Sequence, residues 1–265
     1  MRTLSRPDGP IAFLLGKPIR GESVFPEVFD RLRRHGREVR VHLPHETGDF
    51  VPAWLADAAL LVHRGLNPAA LAALIDLEQA GLRCCNRIAA TLAVNDRHGV
   101  QQRLDTAGLP VPTGSLATTW TETLALSQGR AVVVKAVDGR LGRGAGVIGV
   151  EAAAWPPEAP FPGPYLVQDR VAHDGWDRKV YVAGRACRGL LKPWPRQGAA
   201  AQRPFAPEPM LGDLALAVGR VLGLEIYGVD FVVGETGPLI VDVNGFPGFK
   251  GVPDAARLIG DYLLY

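Results

Sequence analysis

The feature that most narrows the fold is the rhythm of the first ninety residues, where short apolar runs alternate with stretches of helical spacing. Ile11 to Leu15 is a continuous apolar run ended by Gly16-Lys17-Pro18. From Phe25 to His35 the apolar residues fall at 25, 28, 29 and 32, one face of a helix, and Gly36 stops it. Val39 to Leu43 alternates as a strand does, and Ala58 to His63 is apolar almost throughout. Pro68 to Ala80 reads as a helix stopped by Gly81, and Leu82 to Cys85 as another short strand. Strands separated by helices of about a dozen residues imply a parallel sheet covered by helices. Residues 1–94 therefore read as a Rossmann-like unit. No G-x-G-x-x-G follows its first strand, so it lacks the dinucleotide fingerprint.

Two further units follow. In residues 95–164 a helix from Asp96 to Ala107 is broken by Gly108-Leu-Pro-Val-Pro112. A strand at Ser115 to Thr118, a helix at Glu122 to Gln128 and a strong strand at Ala131 to Val137 come next. A glycine-rich loop, Asp138 to Gly146, leads to a strand at Val147 to Val150 and a Pro-rich connector ending at Pro164. In residues 165–265 strands are expected at Tyr165 to Gln168, Lys179 to Val182 and Ala186 to Leu191, then a polar loop from Pro193 to Pro209. A helix over Met210 to Leu222 precedes a hairpin, Tyr227 to Val233 and Leu239 to Val243, and Asp254 to Leu264 closes the chain as a helix.

Composition removes several classes. With 47% hydrophobic and 21% charged residues the 265-residue chain is globular, not disordered, coiled-coil or collagen-like. A net charge of +2 argues against nucleic acid as the main partner. No stretch approaches the roughly 18 apolar residues of a membrane span. Cys84, Cys85 and Cys187 make no disulfide framework, which fits a reducing cytoplasm. The run 11–15 is too short for a signal segment, so a soluble cytoplasmic protein is expected.

The chemistry concentrates in three places. In Gly228-Val-Asp230 and Ile240-Val-Asp242-Val-Asn244, oxygen-bearing side chains interrupt apolar strands. Asp242 and Asn244, two apart, share a face, and Asp230 lies on the partner strand. Buried carboxylates demand a cation or hydrogen bonds, and this hard oxygen set suits Mg²⁺ held together with phosphates. The alternative is a hairpin with solvated polar residues on its open face. Second, Lys135 ends a buried strand beside the loop holding Gly139, Gly142, Gly144 and Gly146, where backbone N–H groups can close on phosphates. The alternative there is a plain turn. Third, the segment Val167-Gln168-Asp169-Arg170-Val171 is followed by His173, Asp177, Lys179 and Arg188. A strand entering a short linker can present backbone groups to an adenine ring, although a lone His173 also suits an ordinary surface position.

Taken together these features resemble the ATP-grasp superfamily over nearly the whole chain. The resemblance implies an α/β ATP-grasp fold with a preceding Rossmann-like domain. It implies phosphate contacts at Lys135 and at Arg97, which stands where the family carries a first lysine. It also implies a loop over the triphosphate (residues 139–146), a hinge over adenine (Gln168, Asp169, Val171) and metal ligands Asp230, Asp242 and Asn244. Two branches are similar. RimK-type amino-acid ligases share the glycine loop and domain order but usually carry Glu at the position of Asp242. The ATP-grasp inositol polyphosphate kinases share Val62-His63-Arg64, Asp96-Arg97, Val167-Gln168 with His173, Lys179-Val-Tyr181 and Asp242-Val-Asn244-Gly-Phe-Pro-Gly-Phe-Lys250-Gly. Those kinases also carry a loop histidine that Asp138 to Gly146 lacks.

The resemblance implies ATP as co-substrate and one or two Mg²⁺ ions, with Mn²⁺ as an alternative. The favoured activity is a carboxylate–amine ligase working through an acyl phosphate; the alternative is a kinase passing the γ-phosphoryl group to a hydroxyl. Lys179 and Arg188 are the expected catalytic cations. His63, Arg64, His173, Lys192 and Lys250 are expected around an anionic small-molecule or peptide acceptor.

Overall fold

A computed structural model describes residues 8–141, 146–151, 155–194 and 202–265. The described residues form three sheets. The first is wholly parallel, in the order β2-β1-β3-β4, from Ile11–Leu15 (β1), Val39–His42 (β2), Leu60–Arg64 (β3) and Cys84–Cys85 (β4). Alternation along β1 divides its side chains. Ile11, Phe13 and Leu15 join the core containing helix Phe25–Arg34 (α1), while Ala12 and Leu14 face helix Pro68–Gln79 (α3). Asn67 caps α3 by accepting from the Ala70 N–H at 2.8 Å. The short helix Pro44–Thr47 (α2), a 3-10 turn at Ala53–Asp57 and the helix Ile88–Ala93 (α4) carry no clear sequence signal, being too short to show a period.

The second sheet is antiparallel, β5-β8-β6-β7, from Gly114–Ala117 (β5), Val132–Ala136 (β6), Val147–Val150 (β7) and Tyr165–Asp169 (β8). Val132, Val134, Tyr165 and Val167 pack toward helix Trp120–Leu126 (α6). The alternate residues Val133, Lys135, Leu166 and Gln168 share the other face. Helix Arg97–Thr106 (α5), capped by Asp96 accepting from Gly99 N–H at 3.0 Å, precedes β5.

The third sheet, β11-β10-β9-β12-β13, is also antiparallel. Its strands are Trp176–Ala183 (β9), Ala186–Pro193 (β10), Arg203–Phe205 (β11), Ile226–Gly234 (β12) and Gly237–Gly245 (β13). Helix Pro209–Leu222 (α7) covers one face, with Val180, Val182, Val229, Phe231 and Ile240 in its core together with α5. Tyr181, Ala183, Leu190 and Ile226 of the other face join Phe13, Phe25 and helix Ala255–Leu264 (α8) in a core shared with the first sheet.

The sequence reading placed 193–209 in a polar loop; part of it, Arg203–Phe205, is instead the edge strand β11. Pro204 hid it, because proline is tolerated only where no ladder donor is needed, as on an edge. Among the described residues no helix is long and apolar enough to cross a membrane.

Candidate active site

The hairpin of β12 and β13 sets Asp230 directly opposite Asp242, and Gly228 opposite Asn244. On the other side of β12, strand β9 sets Lys179 opposite Asp230 and Tyr181 opposite Gly228. Lys179, Asp230 and Asp242 thus form a row across three strands, on the face turned away from α7. Like charges directly opposite repel. The row is held by Lys179 Nζ donating to Asp230 Oδ2 at 2.7 Å and by Asn244 Nδ2 donating to Asp242 Oδ2 at 3.1 Å. Gly228 leaves room for the lysine: a Cβ there would sit 2.9 Å from Lys179 Cε.

Two cations reach the row from outside the sheet. Lys135, buried on β6, donates from Nζ to the Val241 carbonyl. Burial pushes its pKa down to about 8, while Asp242 pulls it up and Arg97 pushes it down further. Arg97, at the start of α5, donates from Nη1 to the Ala136 carbonyl at 2.9 Å, and its Nε lies 3.5 Å from Asp242 Oδ1. The root of the glycine loop is pinned beside it: Gly139 N–H donates to the Asn95 carbonyl at 2.7 Å, and the Gly146 carbonyl accepts from Ala136 N–H at 2.8 Å. Gly142 and Gly144 lie outside the described residues.

The row ends a cleft of about 530 Å³ between the second and third sheets. Val133, Val147, Val171 and Val232 give it apolar walls, and Lys135, Gln168, Asp230 and Asp242 give it polar groups. An apolar slot with a few convergent polar groups is the usual form of a small-molecule site. Gln168 is buried there, while Asp169 is ion-paired to Arg130 at 2.6 Å. His173 also lines this cleft; its Nδ1 accepts from Gly175 N–H at 3.2 Å, and burial lowers its pKa.

Of the cations expected around the acceptor, the structure brings some together and places others elsewhere. His63 is 2% exposed and donates from Nε2 to the Asn86 carbonyl at 2.7 Å; burial holds its pKa near 4, so it is a neutral strut. Arg64 donates to the Phe246 carbonyl at 3.1 Å and lies over the Phe25 ring, fixing the turn after Asn244. His173 lines the cleft just described. Arg188 sits opposite Tyr181, one pair beyond Lys179 on the same face, donates to the Cys187 carbonyl and does not line the cleft. Lys250 is ion-paired with Glu22 over a second cleft, of about 580 Å³, between the α1 entrance and residues 249–256. Lys192 also shares the Lys179 face, two residues from Lys179 along the ladder on the side opposite Arg188. It lies opposite Asp177 and donates to the Tyr181 hydroxyl at 3.1 Å, so both lysines flank the Tyr181 ring.

Three supporting residues escaped sequence reasoning. Asn86 accepts from the Glu225 and Ile226 N–H groups, both at 2.7 Å, and donates to the Ile226 carbonyl, which ties the first sheet to the start of β12. A lone asparagine after a strand gives no signal of this. Tyr181 was legible in principle, since it shares a face with Lys179 two residues away. Gln101 on α5 accepts from Gln168, 67 residues away in sequence, which no local pattern reveals.

Among the described residues no group of three or more His, Cys, Asp or Glu gathers as a metal site. Asp230, Asp242 and Asn244 offer two carboxylates and an amide. That set fits Mg²⁺, which takes one or two carboxylates and fills its shell with phosphate oxygens and water, and is too hard for a soft metal.

Comparison with known proteins bears on the fold and on the kin of the chain. The fold is that of ATP-grasp proteins. A RimK domain ATP-grasp protein from Sphaerobacter thermophilus DSM 20745 superposes with a TM-score of 0.73 at 22% identity, covering 95% of this chain and 98% of the other. The ATP-grasp ligase PsnB, in complex with the precursor peptide PsnA2 and AMPPNP, gives 0.70 at 17% identity over 98% of both chains. In sequence the chain resembles both RimK-type ligases and inositol polyphosphate kinases. The family model for the inositol 1,3,4-trisphosphate 5/6-kinase ATP-grasp domain matches residues 196–265. Ribosomal protein bS6–L-glutamate ligase of Shigella flexneri serotype 5b (strain 8401) is 28% identical over 198 residues, which are 68% of this chain and 65% of the ligase. Inositol-tetrakisphosphate 1-kinase 2 of Glycine max is 29% identical over 133 residues, 38% of this chain and 42% of the kinase. The chain thus spans less than two thirds of either relative's length.

Proposed function

We propose that the protein is an ATP- and Mg²⁺-dependent carboxylate–amine ligase working through an acyl phosphate, in a reducing cytoplasm. The observation that supports this most is the row Lys179–Asp230–Asp242 at the end of an apolar cleft, with Lys135 and Arg97 reaching it from the facing elements. In this reading the base lies against Gln168 to Val171, and Lys135 and Arg97 neutralise the triphosphate. The loop from Gly139 to Gly146 covers the phosphates. Asp230, Asp242 and Asn244 hold Mg²⁺, which supplies charge neutralisation for the transferred phosphoryl group. Lys179, beside Asp230, faces the γ-phosphate.

The acceptor is a carboxylate-bearing small molecule or peptide. Its carboxylate oxygen attacks the γ-phosphorus, and the bond to the β-phosphate oxygen breaks with its electron pair leaving on ADP. An amine nitrogen then attacks the acyl carbon, and inorganic phosphate leaves with the electrons of the C–O bond and takes up the proton that the nitrogen loses. Peptide-binding ATP-grasp ligases among the structural neighbours, and the named substrate of the Shigella relative, favour a peptide. Lys192, beside Tyr181, and Arg188, opposite Tyr181, are the further cations on this face for an anionic acceptor. The chain divides, in this proposal, into units 1–94, 95–164 and 165–265.

One observation favours a second reading. The inositol kinase model covers residues 196–265, the stretch that carries Asp230, Asp242 and Asn244, and a kinase would move the same phosphoryl group to a hydroxyl. Phosphate bookkeeping separates the two. With ATP, Mg²⁺ and a pool of amino acids, peptides and inositol phosphates, a ligase releases ADP and free phosphate in step with an amide. A kinase releases ADP alone and keeps the phosphate on its product. Product formation without free phosphate would overturn the ligase reading.

A further inference from the structure

We infer that Gln101 is a positioning residue that fixes the nucleotide base preference, by locking the Gln168 amide with its oxygen toward the cleft. The inference rests on the nucleotide reading above and adds to it the device that selects the base. Gln168 is 4% exposed and lies on the cleft face of β8, because its neighbours Tyr165 and Val167 are in the α6 core. A buried primary amide has two donors and an oxygen, and which end faces a ligand is set by its fixed partners.

Here the chain of partners has one direction. The Pro112 carbonyl can only accept, so the Gln101 NH₂ turns toward it, with Nε2 at 3.3 Å. Gln101 Oε1 is then the atom left for Gln168, and it accepts from Gln168 Nε2 at 2.7 Å. Gln168 Oε1 is the remaining end, and no donor among the described residues takes it. A second observation shows that the place for Gln101 is built in. Gly114 is the cross-strand partner of Gln168 on β5, and a methyl group at 114 would collide with the Gln101 amide.

An acceptor in the cleft discriminates between purines. Adenine offers an exocyclic amino group that donates to Gln168 Oε1; guanine places a carbonyl oxygen there, and two acceptors facing each other in a buried slot are repelled. The locked amide therefore admits ATP and rejects GTP. Without the lock the amide can turn over, present its NH₂ and accept the guanine oxygen.

The experiment measures Mg²⁺–ATP and Mg²⁺–GTP dissociation constants on the full chain. The wild type is expected to favour ATP by about a hundredfold, toward the upper end of what one unsatisfied buried acceptor costs. Gln101→Leu should bring the ratio to within about fivefold, losing ATP affinity and gaining GTP affinity. Gln101→Glu is the rescue: it loses the hydrogen bond to the Pro112 carbonyl, but a carboxylate can only accept, so it still holds Gln168 Nε2 and keeps the wild-type ratio. Gln101→Lys can only donate; it turns the Gln168 amide over and moves the ratio toward GTP. The Glu and Lys variants are similar in size and both charged, so their comparison decides the matter even where Gln101→Leu fails to fold. An ATP:GTP ratio indifferent to residue 101, or one that collapses equally in Gln101→Glu and Gln101→Lys, overturns the lock while leaving ATP binding in place. A folded wild type that binds neither nucleotide overturns the nucleotide reading and the lock with it.

Discussion

Replacing Lys179 by methionine tests the row directly. Lys179 Nζ lies 2.7 Å from Asp230 Oδ2, and the two side chains are 7% and 17% exposed. Removing the ammonium leaves Asp230 facing Asp242 across the ladder with no countercharge on its own side. Breaking a buried pair in this way costs about 3–5 kcal/mol, and the residual exposure of Asp230 favours the lower end. At about 2–4 °C per kcal/mol for a chain of this size, melting should fall by roughly 6–12 °C. Lys179→Met/Asp230→Asn removes both charges, so it should recover most of that loss, because the cost lies in the stranded carboxylate rather than in lost packing. Added Mg²⁺ should raise the melting point of Lys179→Met more than that of the wild type, since the lysine no longer occupies Asp230. Thermal denaturation of the four proteins of the cycle measures all of this. A Lys179→Met loss under about 0.5 kcal/mol, or a double variant as unstable as the sum of the singles, would refute the reasoning.

Three further outcomes are expected. Asp242→Asn should lower turnover by roughly two orders of magnitude or more, the several kcal/mol that a metal's charge stabilisation supplies, while melting changes little because a facing pair of like charges is relieved; full turnover would remove Asp242 from the metal site. ATP affinity should weaken as pH rises through about 8, where the free protein's Lys135 loses its proton, and titration calorimetry should show a flat profile in Lys135→Arg. His63 takes its proton near pH 4 when folded and near 6.5 when unfolded, so the unfolded state binds more protons between those values. Stability should therefore fall by about 3 kcal/mol as pH drops from 6.5 to 4, and denaturant titration of His63→Gln should show that slope gone.

What the sequence disclosed follows from what each pattern depends on. Apolar runs and helical spacing are local, so β1, α1, β6, α7 and the final hairpin were legible from a few residues each. Asp230, Asp242 and Asn244 were legible for a related reason: a carboxylate in an apolar strand contradicts its surroundings wherever the strand goes. Lys135 was legible from the glycine loop beside it, but the places of the acceptor cations depend on packing. His63 and Lys135 are both polar residues at the ends of apolar strands, yet one donates to a backbone carbonyl as a neutral ring and the other faces a carboxylate row. The one local difference is the glycine-rich loop that follows Lys135 and not His63.

The register of β13 shows the same limit from the opposite side. In an unbroken strand Ile240 and Asp242, two residues apart, would point to the same face. Here Ile240 pairs with Phe231 and lies in the α7 core, whereas Asp242 pairs with Asp230 on the face that holds Lys179. The difference is a bulge, in which the register shifts between Asp230 and Phe231 and Val241 falls outside the pairing. That extra residue does two things at once. It switches the strand from burying apolar side chains to presenting carboxylates, without a loop to separate the two tasks. It also releases the Val241 carbonyl, which accepts from Lys135. Without the bulge, the register would place either Ile240 in the cleft or Asp242 against α7, and a one-residue slip of that kind is costly wherever one face is buried. The site therefore exists through the irregularity of one strand, and the residue that makes it possible is an ordinary valine.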